Sequence, residues 1–174
     1  MMNTRTVDLE DRGIGAEASL VPMVEIRAFR PEDVVAFREL NEAWIKKYFG
    51  MEEQDYVVLG DPEQYVIRAG GYIYMAFLDG VAVGCCALLL EHDGVYEVAK
   101  MAVTEEIRGR GIGRKVLAHT IAEARAMGAT MLTLVTNSKL ANAIHLYEAL
   151  GFRHVAGPAV SPYARGDVFM ELPL

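Results

Sequence analysis

From Val24 the hydrophobic positions fall into a succession of two rhythms. Val24-Glu25-Ile26-Arg27-Ala28-Phe29 alternates with period two, which predicts a first strand. Arg30-Pro31-Glu32-Asp33 then opens a helix, with an early proline and acids in the first turn. Val34, Phe37, Leu40, Trp44, Ile45 and Phe49 recur at spacings of three and four and give that helix one apolar face; Gly50 supplies a stop. A shorter helix is predicted from Asp61-Pro62 to Gly70-Gly71. Three strands follow, Tyr72 to Leu78, Val81 to Leu90 and Tyr96 to Val103. They are separated by Asp79-Gly80 and Asp93-Gly94, the strongest short hairpin signals in the chain. After a glycine-rich turn, Val116, Leu117, Thr120/Ile121 and Ala124 form the stripe of a helix from about Gly113 to Met127, ended by Gly128. Met131 to Val135 reads as a buried strand, and Leu140 to Leu150 as a helix closed by Gly151. Short strands around His154–Ala156 and Asp167–Leu172 finish the pattern. Residues 1–22 hold no sustained period and contain Gly13, Gly15 and Pro22, so they read as an N-terminal extension ahead of one α/β domain over 23–174.

Composition narrows the function classes. The 174 residues are 52% hydrophobic and 24% charged, with a formal net charge of -7. That is globular rather than disordered. The acidic balance argues against nucleic-acid binding, which rests on neutralising phosphates, and favours cationic or amine-bearing partners. No apolar run approaches the ~20 residues of a membrane span, and the N-terminal residues lack the apolar core of a secretory signal; the expectation is a cytoplasmic protein. Cys85 and Cys86 are adjacent, so in a strand they point to opposite faces and do not pair. No His/Cys cluster suggests a metal.

The candidate chemistry lies in Arg108-Gly109-Arg110-Gly111-Ile112-Gly113, where a strand meets a helix. Glycines permit positive φ and close backbone approach, and the free amides at a helix start suit a phosphate or pyrophosphate. Arg108, Arg110, Arg114 and Lys115 add positive charge. The dinucleotide fingerprint fails because position 114 is arginine rather than glycine, and no Gly-Lys-Ser or Gly-Lys-Thr of a phosphate loop occurs. The features ask for a polyanion, with a purely structural turn as the alternative.

Arg108-x-x-Gly111-x-Gly113 resembles the R/Q-x-x-G-x-G/A signature of the GCN5-related N-acetyltransferase superfamily. Glu97 to Val103 resembles the strand that precedes that signature. Asn142-Ala143-Ile144-His145-Leu146-Tyr147-Glu148-Ala149-Leu150-Gly151-Phe152 resembles the family's C-terminal A-x-x-L-Y-x-x-x-G-F block. The resemblance covers roughly residues 24–172. It implies a mixed, mostly antiparallel sheet of six or seven strands flanked by helices, splayed at the fourth and fifth strands. It also implies acetyl-CoA as acyl donor, no metal, and transfer to a primary amine in a ternary complex. Dimers are common in the family, and no motif here fixes that state.

Carried over residue by residue, the resemblance places the pantetheine arm against Met101, Ala102 and Val103 and the pyrophosphate on the amides from Arg108 to Arg114. Tyr147 matches the position of the general acid, a tyrosine packed in the core being the alternative. Glu97, eleven residues before Arg108, is the candidate base or a binder of the substrate cation. Strand alternation puts Glu97, Ala99, Met101 and Val103 on one face. The family's coenzyme-contacting asparagine has no direct counterpart: its position is Leu140, with Asn137 and Asn142 nearby. The acceptor side falls to Trp44, Tyr48 and Phe49 and to the segment Ser161-Pro162-Tyr163-Ala164-Arg165. There Trp44 and Phe49 serve either core or pocket, and Arg165 either binds a carboxylate or is solvated. A small-molecule or amino-acid-like acceptor is expected, with a turnover-deficient acyl-CoA sensor, a protein lysine or N-terminal acetyltransferase and a longer-chain acyltransferase as alternatives.

Overall fold

The computed structural model describes residues 23–158 and 163–174; the N-terminal extension, Ser161 and Pro162 lie outside them. Seven strands form one sheet: β1 Val24–Ala28, β2 Tyr72–Leu78, β3 Val81–His92, β4 Val95–Val103, β5 Met131–Thr136, β6 Arg153–Val155 and β7 Val168–Pro173, in the order β1-β2-β3-β4-β5-β7-β6. Every neighbouring pair is antiparallel except β4 and β5. The helices are α1 Val34–Tyr48, α2 Glu53–Gly60, α3 Ile112–Ala126 and α4 Ala141–Ala149.

The hairpin signals act as expected. Asp79 (φ 50°) and Gly80 (φ 77°) make the β2–β3 turn, both in the left-handed region that a two-residue turn of matching twist requires. At the start of α1, Arg27 grips the Asp33 carboxylate with Nη1 and Nη2 (2.7 and 2.9 Å). That carboxylate also accepts from the Arg30 amide at 2.8 Å, fixing the helix start.

Two hydrophobic clusters lie on opposite faces of the sheet. One holds Val116, Leu117, Ile121 and Ala124 of α3 with Cys86, Leu88, Leu132 and Met170. The other holds Phe37 and Ile45 of α1 and Val58 and Leu59 of α2 with Met75, Cys85 and Ala87. Each fully buried aliphatic or aromatic side chain contributes about 1.5–3 kcal/mol. The two cysteines part to the two clusters, as alternation requires.

Helix α2 departs from the sequence reading. Its apolar residues Val57, Val58 and Leu59 run consecutively and give no helical period. It is set instead by a reciprocal cap: the Asp55 carboxylate accepts from the Glu52 amide at 3.0 Å while the Glu52 side chain accepts from the Asp55 amide. The helix expected at 61–70 is a single wide turn over Glu63–Ile67.

β4 differs in a way that shapes the site. Ala99 pairs with Ala87 and Ala102 with Cys85, so Lys100 and Met101 together face Cys86. This is a bulge, and Lys100 takes φ 48° to make it. The expectation that Glu97, Ala99, Met101 and Val103 share a face fails for that reason. Glu97 lies opposite Leu89, and Ala99 opposite Ala87, on the α1/α2 side. Met101 and Val103 pack on the α3 side.

Candidate active site

β4 and β5 pair in parallel only over Val95–Glu97 and Met131–Thr133. Beyond Glu97 they diverge, leaving β4 backbone unpaired on that edge. A cleft of about 710 Å³ opens there, lined by β4 from Glu97 to Val103, the glycine turn, the β5–α4 connection and, on the other side, Trp44, Tyr48, Phe49, Tyr163 and Arg165.

The glycine turn is built for close approach. Gly109 (φ 81°) and Gly111 (φ 76°) are left-handed, and no atom lies within 4 Å of where a Cβ would stand on either. Gly111 precedes α3, and the first helical bond runs from the Lys115 amide to its carbonyl. The amides of Ile112, Gly113 and Arg114 therefore have no helical acceptor and sit at the positive end of the helix dipole. A Cβ on Gly113 would lie 3.5 Å from Leu146, Met101 and Val103, which is ordinary contact.

The arginines of the turn divide in their roles. Arg108 folds back, its Nε donating to the Val103 carbonyl (3.2 Å) and its Nη1 to Glu105 (2.9 Å). Glu105 in turn pairs with Lys47 at 2.7 Å. Arg108 thus braces the turn against α1. Arg114 lines the cleft; Arg110 is exposed and does not.

Tyr147 is buried on α4, edge-on to Phe152 at 6.0 Å, and lines the cleft from the α3 side. Its hydroxyl has no hydrogen-bond partner among the described residues, and burial, then the neighbouring Cys86, pushes its pKa above the usual phenol range. His145 is exposed, as its helical phase predicts. Asn137 donates to the Arg165 carbonyl at 2.6 Å and accepts from the Lys139 amide at 2.9 Å, so its amide is spent on shaping the β5–α4 connection. Asn142 is exposed on the first turn of α4 at the cleft margin.

Glu97 reaches the cleft from the α1/α2 side and has no hydrogen bond or ion pair to another described residue. Burial, reinforced by Glu91 and opposed by Lys100, raises its pKa to about 7.

Beside it lies a charged cluster that sequence reasoning missed. Lys100 Nζ donates to Asp55 Oδ1 at 2.6 Å and to the Tyr163 hydroxyl at 2.9 Å. Arg165 places Nη1 2.7 Å from Asp55 Oδ2 and Nη2 2.9 Å from Asp55 Oδ1, with Glu52 Oε1 a further 3.1 Å from Nη1. Asp55 is 0% exposed. Burial opposes its charge, but Arg165 and Lys100 outweigh that and lower its pKa to about 2. Both cations also lie over the Tyr163 ring, at 4.8 and 4.7 Å. Arg165 is therefore neither solvated nor open to a carboxylate from outside, because its fork already holds one. Neither the Glu52–Asp55 cap nor its partners, up to 113 residues away, can be read from the local sequence.

The model of the acetyltransferase (GNAT) family matches residues 35–152. The chain belongs to this family. It is 41% identical over 98 residues to the IAA acetyltransferase of Azospirillum brasilense, over 55% of this chain and 63% of that one. It is 36% identical over 103 residues to human N-acetylaspartate synthetase, over 56% of this chain and 33% of that one. The matches thus span under two-thirds of these relatives' own lengths. The PaiA N-acetyltransferase of Thermoplasma acidophilum, solved in complex with coenzyme A, has the same fold, with a TM-score of 0.69 at 17% identity over 87% of this chain and 99% of that one.

For a GNAT chain the geometry fits a long anionic thioester. Three unpartnered amides meet the need of a pyrophosphate, the unpaired β4 edge offers hydrogen bonds to an amide-bearing arm, and the cleft joins the two. Among the described residues no group of three or more His, Cys, Asp or Glu is placed to hold a metal, and no helix is long and apolar enough to cross a membrane.

Proposed function

We propose that this protein transfers the acetyl group of acetyl-CoA directly to the primary amine of a small-molecule acceptor. The carrying observation is that one cleft joins the free amides of α3, the unpaired edge of β4, Glu97 and Tyr147. When bound, acetyl-CoA supplies a thioester whose C–S bond breaks as the C–N bond to the amine forms. The amides of Ile112, Gly113 and Arg114 hold the diphosphate, and the β4 edge at Met101 to Val103 holds the arm. Glu97, with a pKa near neutrality, accepts through water the proton that the ammonium must shed. Tyr147, whose hydroxyl is protonated and unengaged, returns a proton to the departing sulfur. Trp44, Tyr48 and Phe49 form the acceptor wall. The cytosol, where acetyl-CoA and free amines coexist, is the proposed compartment.

Thermal shift with acetyl-CoA and release of free thiol across a panel of primary amines test this reading. A ligand at ~100 times its dissociation constant stabilises by about 2.7 kcal/mol. Stabilisation without thiol release would leave an acyl-CoA sensor; release only with protein lysines or N-termini would move the acceptor to proteins.

A further inference from the structure

The acceptor side of the cleft holds two cations and two kinds of carboxylate, and their pairing is informative. Lys100 and Arg165 are the cations that line the cleft on this face. Both are committed to Asp55, Arg165 through both arms of its fork, and Glu52 takes a further bond from Arg165. Asp55 is itself sealed in and holds the position that an acceptor's carboxylate would need to reach Arg165. Lys139, across the β5–α4 connection, is exposed and lies in the field of Asp167. Glu97, by contrast, has no hydrogen bond or ion pair to any described residue. The remaining walls are the rings of Trp44, Phe49, Tyr48 and Tyr163, with Trp44 edge-on to Phe49 at 6.3 Å.

This arrangement suits one end of an amino acid and opposes the other. An ammonium gains a carboxylate at Glu97 and aromatic faces around it. A carboxylate beside that ammonium would meet Glu97 and find both cations already neutralised. Resting on the acetyltransferase reading above, we propose that the acceptor is a primary amine with an apolar or aromatic body and no carboxylate next to the amine. Asp55 is the specificity-determining residue: it acts as a built-in counterion that withholds Arg165 from acidic acceptors.

The test compares acceptors that differ by one group. Phenethylamine against phenylalanine, and tyramine against tyrosine, are assayed with acetyl-CoA by thiol release, alongside thermal shift with coenzyme A alone. The expected result is a kcat/KM at least roughly tenfold higher for each amine than for its amino acid, the scale on which an unmatched polar group is rejected. Equal rates, or faster acetylation of the amino acids, would overturn the proposal while leaving acetyl transfer to small amines standing. Thiol release with none of the four, together with a retained coenzyme A shift, would overturn the acceptor class but not the donor assignment. Loss of both signals would overturn the acetyltransferase reading itself.

Discussion

Lys100 Nζ lies 2.6 Å from Asp55 Oδ1, and the two side chains are 3% and 0% exposed. The pair is unequal in its support, because Asp55 keeps Arg165 when Lys100 is removed, whereas Lys100 and Arg165 both lose their main counterion when Asp55 goes. Asp55→Ala is therefore expected to cost about 3–5 kcal/mol, the price of stranding buried charge, and Lys100→Met distinctly less. Chemical denaturation of both variants at neutral pH checks the order; equal losses would contradict it. The acid limb adds a second reading of the same pair. Asp55 is depressed from 3.8 to about 2 in the fold, so its contribution is complete above about 3.8 and fades as pH falls towards 2. The wild type should lose stability more steeply than Asp55→Asn across that window.

Glu97 gives the opposite sign. Its pKa rises from 4.5 to about 7 on folding, so the folded state prefers the protonated carboxyl. The associated stabilisation is present below about 4.5 and lost as pH rises through 7. Glu97→Gln is accordingly expected to be at least as stable as the wild type above pH 7. The same variant should lose roughly 10²–10⁴ of turnover and the limb of the pH–rate profile near 7. A loss under about tenfold removes the base role.

Tyr147 separates function from packing. Its hydroxyl bonds to no other described residue, so Tyr147→Phe should melt within about 0.5 kcal/mol of the wild type. Turnover should fall while the thermal shift with coenzyme A persists. Unchanged turnover would return Tyr147 to the core.

Gly111, which caps α3, and Gly113, in its first turn, should respond differently to alanine. Gly111→Ala forces a Cβ into φ 76°, a strain of about 1–2 kcal/mol, and misplaces the amides that follow. Gly113→Ala meets only contacts at 3.5 Å and should keep both stability and coenzyme A binding. Thermal melts with and without coenzyme A measure both.

What the sequence makes legible is what local rules write. The hairpins at Asp79-Gly80 and Asp93-Gly94, the α3 stripe and the glycine turn each carry their cause within a few residues. That Glu97, Tyr147, Trp44, Tyr48 and the glycine turn line one cleft is written in no local rule and is implied only by the family resemblance; Arg110 does not line it. The bulge at Lys100 carries no such mark. Glu97 to Val103 holds no glycine or turn pair, and the lysine at positive φ is held by a carboxylate 45 residues earlier in the chain. Helix α2 is hidden for a related reason, since its capping pair reads as two ordinary acids among Glu52-Glu53-Gln54-Asp55. Arg165 looks solvated in sequence because its partner belongs to a helix that the periodicity does not show.

The bulge also divides one strand between the two faces of the sheet. By inserting Lys100, β4 turns Met101 and Val103 towards α3 while leaving Glu97 and Ala99 with α1 and α2. Substitutions can then drift on one side of the strand without disturbing the other. Under the function proposed above, acceptor choice is free to change over a fixed coenzyme grip, with the left-handed Lys100 as the partition between them.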